Sequence, residues 1–172
     1  MSRLKVALDA AVSISIVIAA MAICYVAYRQ YSAPRRPERP SVPSPGARIK
    51  LPGVNWVDAR RNLIVVIKPG CPYCDESMPF YRKALESGTP GQLRVLLVGP
   101  ASRESLRDYL SQRGIAADPV RVQIRSLFVS ATPTIILVDS TGRVEKTWVG
   151  LLSASRQCEV LAAVDVRCPV AP

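Results

Sequence analysis

The sequence predicts an α/β domain, in which helices flank a mixed central sheet, joined to an N-terminal transmembrane helix. In the C-terminal two thirds of the chain, short apolar runs rich in β-branched residues alternate with helical segments, a pattern typical of α/β proteins. The N-terminal part instead contains one apolar stretch long enough to cross a bilayer. We therefore divide the chain into a membrane anchor (1–31), a proline-rich linker (32–50) and a globular domain (51–172).

The predicted anchor depends on the segment from Ala10 to Tyr28, which is 19 residues long and carries no charge. At about 1.5 Å per residue, a helix of this length crosses the hydrocarbon core. One alternative is a cleaved signal peptide, and another is a lipoprotein processed at Cys24. No small-x-small cleavage motif follows the apolar stretch, and Ile23 is large for the residue before a lipoprotein cysteine. We therefore favour an uncleaved signal anchor.

Proline recurs at every third residue of the linker, at Pro34, Pro37, Pro40 and Pro43. A polyproline II helix has three residues per turn, so these prolines would lie along one edge of an extended rod. A disordered tether is the alternative. Either form would hold the following domain away from the membrane.

The net charge of +10 is concentrated near the N-terminus, since residues 1–50 carry +6 and residues 51–172 carry only +4. The basic residues of the predicted domain are scattered and form no run. A solvated surface therefore explains them better than a nucleic-acid site does, and we expect no nucleic-acid partner.

Apolar runs, caps and chain breakers predict the elements of the domain. Ser102 is a candidate N-cap of the second helix, and Gly114 follows its end. The predicted strands are Leu63–Ile67, Leu93–Val98, a short Val120–Ile124, Thr134–Val138 and Val144–Val149. The predicted helices are Asp75–Ser87, Arg103–Arg113 and a last one from Ser153 to about Val164.

The motif Cys71-Pro72-Tyr73-Cys74 stands between the first strand and the first helix of the domain. Thiols at positions i and i+3 can form a disulfide, and the N–H groups at a helix start favour a thiolate on Cys71. The alternatives are inert cysteines or half of a zinc site. Zinc needs two further ligands, whereas the chain has no histidine and no second Cys-x-x-Cys. We therefore expect thiol–disulfide exchange, with no metal and no cofactor.

Further features resemble one known family. They are Pro79 eight residues after Cys71, Ala131-Thr132-Pro133-Thr134 before a strand, Gly150 after a hairpin, and the extra helix Arg103–Arg113. With the Cys-x-x-Cys, the stretch from Leu51 to Val164 resembles the thioredoxin-fold superfamily, most of all the TlpA-like membrane-anchored thiol–disulfide oxidoreductases. The resemblance implies a thioredoxin-like fold, a cis Thr132–Pro133 bond, and a bend of the active-site helix at Pro79.

Two positions depart from the family pattern. Gly70 replaces the tryptophan that thioredoxins carry before the first cysteine, and Val65 replaces their buried acid. In thioredoxins this acid assists the removal of a proton from the second cysteine, so the resemblance implies that this chain lacks that assistance.

The expected catalytic residues are Cys71 and Cys74. Cys71, at the exposed start of the helix, attacks a substrate disulfide, and the more buried Cys74 resolves the mixed disulfide. Pro72 stiffens the loop, and Tyr73 offers a partly apolar surface beside the sulfurs. By resemblance, Thr132 and Pro133 face the two cysteines and bind an extended substrate. The expected partners are protein thiols and disulfides.

Cys158 and Cys168 are separated by ten residues, one in the last predicted helix and one in the tail after it. The tail could fold back to pair them in a structural disulfide; two ordinary thiols are the alternative. A disulfide would suit an oxidising compartment.

Two observations disagree about the location of the domain. Arg29, Arg35, Arg36 and Arg39 follow the apolar stretch, whereas only Arg3 and Lys5 precede it, and the positive-inside rule would then place the domain in the cytoplasm. The short basic N-terminus and the spare cysteines favour the opposite side. We expect a single-pass protein of a bacterial inner membrane, with the domain in the periplasm beside a membrane or periplasmic redox partner.

Two other functions remain open from the sequence. One is a redox-inert binding module of the same fold, and the other is a thiol peroxidase of the peroxiredoxin type. The setting Pro69-Gly70-Cys71 does not reproduce the usual peroxidatic loop.

Overall fold

The structure, a computed structural model, describes residues 2–32 and 41–168, with side chains over 14–29 and 41–168. The chain divides into two compact units, 1–39 and 40–172. The described residues of the first unit form one helix, α1 (Ser2–Ser32). Its large apolar side chains between Ile14 and Tyr28 are exposed. Within the described residues, no helix has both the length and the apolarity that crossing a membrane requires.

The second unit consists of a five-stranded sheet and four further α-helices among its described residues. The strands are β1 (Ala59–Val66), β2 (Gly91–Gly99), β3 (Val120–Arg121), β4 (Thr134–Asp139) and β5 (Val144–Val149). The helices are α2 (Pro72–Glu76), α3 (Met78–Glu86), α4 (Arg103–Ser111) and α5 (Ala154–Ala163). Two short 3-10 helices cover Trp56–Asp58 and Ile124–Leu127.

The sheet is mixed, as predicted, and its strand order is β3-β2-β1-β4-β5. The pairs β1–β2 and β2–β3 are parallel, whereas β1–β4 and β4–β5 are antiparallel. The central strand β1 begins at Ala59, four residues before the predicted start, and pairs there with Gly91. The first residues of β1 include polar ones, among them the fully buried Asn62. A search for apolar runs therefore does not detect this part of the strand. The predicted strand Val120–Ile124 is wrong in its second half, because a 3-10 helix begins at Ile124.

Side chains alternate across β1 and divide the core into two clusters. Leu63, Val65 and Ile67 join apolar residues of α3, α4 and α5, whereas Ile64 and Val66 face the opposite side. That second side is covered by residues 47–56 and 120–129. After β1 the chain therefore continues on the helical face of the sheet, where the Cys-x-x-Cys lies.

Residues 41–50, which the sequence analysis assigned to the linker, contact the folded unit. The Gly46 N–H donates to the Val144 carbonyl at 2.7 Å, and the Ile49 side chain is only 2% exposed. The N–H of Ser41 donates to the Ser130 hydroxyl at 2.8 Å. The folded unit therefore includes this part of the segment, while Pro34, Pro37 and Pro40 lie outside the described residues.

The predicted helix Asp75–Ser87 is two helices, α2 and α3, with a break at Ser77. Pro79 explains the break, because it has no N–H to donate to the carbonyl four residues earlier. The bend that the family resemblance implies at Pro79 is therefore confirmed. The predicted cap of α4 is also confirmed, since the Ser102 hydroxyl accepts a hydrogen bond from the Ser105 N–H at 3.2 Å.

Candidate active site around Cys71 and Cys74

Cys71 occupies the N-cap position of α2, directly after the turn that leaves β1. Gly70 has a φ of +77°, a conformation that favours glycine in this turn. The Cys71 N–H donates to the Lys68 carbonyl at 3.2 Å, and its own carbonyl accepts from the N–H of Cys74 at 3.0 Å. These bonds fix the first cysteine at the helix start, as the sequence predicted, with Pro72 at the first helical position.

The two thiols differ in exposure and in acidity. Cys71 is half-buried, whereas Cys74 is 0% exposed. Partial burial works against ionisation of Cys71, but hydrogen bonding by the side chains of Thr132 and Cys74, together with N–H groups of the helix start, lowers its pKa overall. Burial raises the pKa of Cys74 to about 12, and the neighbouring charge of Cys71 adds to this shift. The Cys71 thiol is therefore more readily ionised than the Cys74 thiol, which stays protonated at neutral pH.

The loop before β4 lies against Cys71. The Thr132–Pro133 peptide bond is cis, so this implication of the resemblance is confirmed. The Cys71 thiol donates to the Thr132 carbonyl across 3.4 Å. The Gly150 N–H donates to the Pro133 carbonyl at 2.8 Å, and Gly150 has a φ of +80° that favours glycine. The structure thus brings Thr132 next to Cys71, as expected, and ties Pro133 to the residue after β5.

Tyr73 lies on the outer side of this site. Its side chain is 56% exposed, between the two cysteines in sequence. Its exposed ring is amphipathic, and its expected role as a surface for substrates stays a prediction.

Comparison with solved structures identifies the fold. No family model and no curated protein matches the sequence. A thiol-disulfide isomerase from Corynebacterium glutamicum is 16% identical, with a TM-score of 0.56 over 74% of this chain and 96% of that chain. The thioredoxin domain of a thiol-disulfide oxidoreductase from Bacteroides vulgatus is 17% identical, with a TM-score of 0.54 over 70% and 97%. A thiol:disulfide interchange protein from a Bacteroides species is 20% identical, with a TM-score of 0.54 over 73% and 90%. This chain has the thioredoxin fold.

Beneath the cysteines, this thioredoxin fold has an apolar residue and a buried tyrosine. Val65, which replaces the acid expected from the family, is 0% exposed. Tyr81 is 1% exposed, and its hydroxyl has no hydrogen-bond partner among the described residues. Burial raises the pKa of Tyr81, the Ser77 side chain lowers it in part, and the charges of Cys74 and Cys71 raise it further. The sequence placed Tyr81 in the core, but its place near the thiols depends on how α3 packs under them.

A polar cluster links the active-site helix to α4. The Asp75 carboxylate accepts hydrogen bonds from the Tyr109 hydroxyl at 2.6 Å and from the Arg113 guanidinium at 2.8 Å. These two bonds hold the pKa of Asp75 below its ordinary value. The Arg113 guanidinium also lies 3.9 Å above the Tyr109 ring, close enough for a cation–π contact. The cluster fixes the turn that contains Cys74.

No motif in the sequence predicts this cluster. One available signal was the spacing of Tyr109 and Arg113, four residues apart on a predicted helix and therefore on one face. Nothing in the sequence, however, indicates that this face meets Asp75.

The structure joins Cys158 and Cys168 in a disulfide, with their Cα atoms 5.1 Å apart. Cys158 lies in α5. Cys24, Cys71 and Cys74 are free thiols. The disulfide therefore ties the described C-terminal residues to the last helix and leaves Cys71 and Cys74 as the free thiols of residues 41–168.

Proposed function

We propose that this protein is a thiol–disulfide oxidoreductase, which exchanges disulfides with protein substrates through Cys71 and Cys74. The observation that carries the proposal is the asymmetry of the pair. A half-exposed thiol of lowered pKa at the start of a helix is followed, one turn later, by a fully buried thiol of raised pKa. An exposed thiol of lowered pKa suits the group that attacks the substrate. A buried thiol of raised pKa suits the group that reacts only after the mixed disulfide has formed.

In the reducing direction the Cys71 thiolate attacks one sulfur of a substrate disulfide. A bond forms between the Cys71 sulfur and that sulfur, and the other substrate sulfur leaves as a thiolate and takes up a proton. Cys74 then loses its proton and attacks the Cys71 sulfur, which releases the second substrate thiolate. The substrate gains two electrons, and Cys71 and Cys74 end as a disulfide. The reverse sequence oxidises a substrate dithiol.

Variants of the two cysteines test this proposal in the full-length protein, with a disulfide-containing protein as substrate and dithiothreitol as the final reductant. Cys71→Ser should abolish reductase activity, because it removes the attacking thiolate. Cys74→Ser, reduced and then freed of dithiothreitol before the substrate is added, should instead accumulate a mixed disulfide between Cys71 and the substrate, visible on a non-reducing gel. The double variant Cys158→Ser/Cys168→Ser is the control and should retain turnover.

The same variants separate the alternatives. Full turnover in Cys71→Ser would refute the proposed role of Cys71. A wild-type protein whose Cys71 neither reacts with substrate disulfides nor is alkylated would be a binding module. Rapid consumption of hydrogen peroxide that depends on Cys71, without disulfide reductase activity, would indicate a peroxidase.

We further propose that the N-terminal segment anchors the protein in a bacterial inner membrane, with the thioredoxin-fold unit in the periplasm. The uncharged stretch from Ala10 to Tyr28 supports an anchor, and a structural disulfide suits an oxidising compartment. The test uses the Cys24→Ser variant, in which Cys24 cannot react. A thiol reagent that cannot cross membranes should label reduced Cys71 in intact spheroplasts of cells that produce this variant. Labelling that needs permeabilisation would place the domain in the cytoplasm, and Cys24→Ser/Cys71→Ser is the matched control.

A further inference from the structure

A cleft of about 590 Å³ opens beside Cys71, within the size range of ligand sites. Two residues of its lining are hydrogen-bonded to that cysteine. The Lys68 carbonyl accepts from the Cys71 N–H at 3.2 Å, and the Thr132 carbonyl lies 3.4 Å from the Cys71 sulfur. A polypeptide joined to this sulfur therefore has the cleft directly next to its reactive cysteine.

The lining of the cleft is positively charged. Lys68 and Arg125 contribute two cationic side chains, and no aspartate or glutamate lines the cleft. Both residues are exposed, and neither forms a salt bridge within the described part of the chain. By contrast, the exposed Arg103 and Arg107 are both paired with Asp118. The two cations of the cleft are thus available to an acidic ligand.

Phe128 adds an aromatic ring to the same cleft. It is 60% exposed and has a φ of +57°, which is uncommon for a bulky residue. Its neighbours Leu127 and Val129 are 0% and 2% exposed, so both sides of Phe128 are fixed in the core while its own ring is held outside. An exposed ring held in this way offers a large contact area at a low cost in conformational entropy.

We propose that this cleft binds the part of a protein substrate next to its reactive cysteine and selects segments that carry an acidic and an apolar side chain. Lys68 and Arg125 would contact the carboxylates, and Phe128 would pack against the apolar side chain. This inference rests on the proposed thiol–disulfide exchange and adds a substrate class to it. Backbone pairing with the Thr132–Pro133 loop alone would not distinguish one sequence from another.

The test uses three peptides with one cysteine each, flanked by glutamate and leucine, by serine and leucine, or by lysine and leucine. Each peptide cysteine is joined to 5-thio-2-nitrobenzoate. In the full-length Cys74→Ser protein, the Cys71 thiolate attacks the peptide sulfur, forms the mixed disulfide and releases the coloured thiolate, so the release rate reports each peptide. Rates are divided by those of a small free thiol with the same peptides, which removes intrinsic differences in reactivity.

At low ionic strength the glutamate peptide should react about fivefold faster than the lysine peptide, since its carboxylates can pair with the exposed Lys68 and Arg125. The preference should shrink in 0.5 M salt, used here to reduce the Debye length to about 4 Å. Arg125→Glu should abolish or reverse it. The matched control is Arg121→Glu, an exposed arginine four residues away that does not line the cleft, and it should keep the preference.

Phe128→Gly tests the ring separately, because glycine adopts the positive φ without strain. It should slow the leucine peptides relative to matching alanine peptides. Equal rates for the glutamate, serine and lysine peptides at low salt would overturn the inference. A preference for the glutamate peptide that is unchanged in Arg125→Glu would overturn it too. Neither result would contradict the exchange reaction. If every peptide releases the coloured thiolate no faster with Cys74→Ser than with Cys71→Ser/Cys74→Ser, the exchange reaction itself is refuted.

Discussion

The alkylation rates of Cys71 and Cys74 should differ strongly, and the difference can be worked out from their surroundings. With a pKa of about 12, about one Cys74 in 10,000 is a thiolate at pH 8, against about one in ten for a thiol at the ordinary value of 9.0. The smaller thiolate fraction slows alkylation about 1,000-fold. A more basic thiolate is also more nucleophilic, which increases the alkylation rate about 15- to 30-fold and offsets part of this loss.

Cys74 should therefore react at least about 30-fold more slowly than an ordinary thiol, before its burial slows it further. Cys71 should react much faster than Cys74 at this pH, because its pKa lies below 9.0 and its side chain is partly exposed. The rate at Cys71 should rise with pH and level off, with a midpoint below 9.0.

The assay is a time course with iodoacetamide on the reduced full-length protein, quenched and mapped by peptide mass spectrometry, so that Cys24 is resolved from the other thiols. The Cys74→Ser variant provides the pH profile of Cys71 without its neighbour. Rates at Cys71 and Cys74 within about threefold of each other, or a midpoint for Cys71 at or above 9.0, would refute the assignment of attacking and resolving roles.

Three further predictions concern stability, measured by urea denaturation. Asp75→Asn should lower the free energy of unfolding at pH 7 by about 1 kcal/mol, because the charged acceptor of the Arg113 bond is lost. Folding lowers the pKa of Asp75, so the carboxylate contributes to stability above its ordinary pKa of 3.8. The difference from wild type should therefore vanish as the pH falls through the folded-state pKa. Tyr81→Phe should raise stability by about 1 kcal/mol, since it removes a buried hydroxyl that has no partner among the described residues, and a loss of stability would show that the hydroxyl is satisfied. Cys158→Ser/Cys168→Ser should lower stability by about 2.5 kcal/mol in the chain-entropy model for a closed loop of ten residues, and no change under oxidising conditions would indicate that the two thiols are unpaired.

The parts of the site that the sequence predicts correctly depend on short-range patterns. Cys71 at a helix start and Ser102 as a cap each follow from a few adjacent residues, whose backbone preferences are local. The bend at Pro79 follows from the family resemblance, since the residue pattern alone predicts one continuous helix from Asp75 to Ser87. The cis bond at Pro133 was reached only through the family resemblance, because the local sequence permits both isomers.

The parts that the sequence does not predict depend on contacts between distant residues. Asp75 and Arg113 are 38 residues apart, and only the packing of α4 against α2 brings them together. The composition of residues 32–50 indicates a linker, yet Ile49 is buried, because single apolar residues among prolines leave no periodic signal. The cleft beside Cys71 is likewise formed by separate segments that meet only in the folded chain.

The most direct test of the central claim is a redox titration of the full-length protein in mixtures of reduced and oxidised dithiothreitol and, for a more oxidising range, of reduced and oxidised glutathione. Free thiols are trapped by acid and mapped by mass spectrometry. The account predicts one reversible two-electron transition, in which Cys71 and Cys74 become joined to each other, with a tenfold change in the equilibrium for about every 30 mV. The transition should be absent in Cys71→Ser and in Cys74→Ser, and present in Cys158→Ser/Cys168→Ser. A wild-type protein in which Cys71 and Cys74 stay reduced in every mixture, or pair with other cysteines instead, would contradict the account.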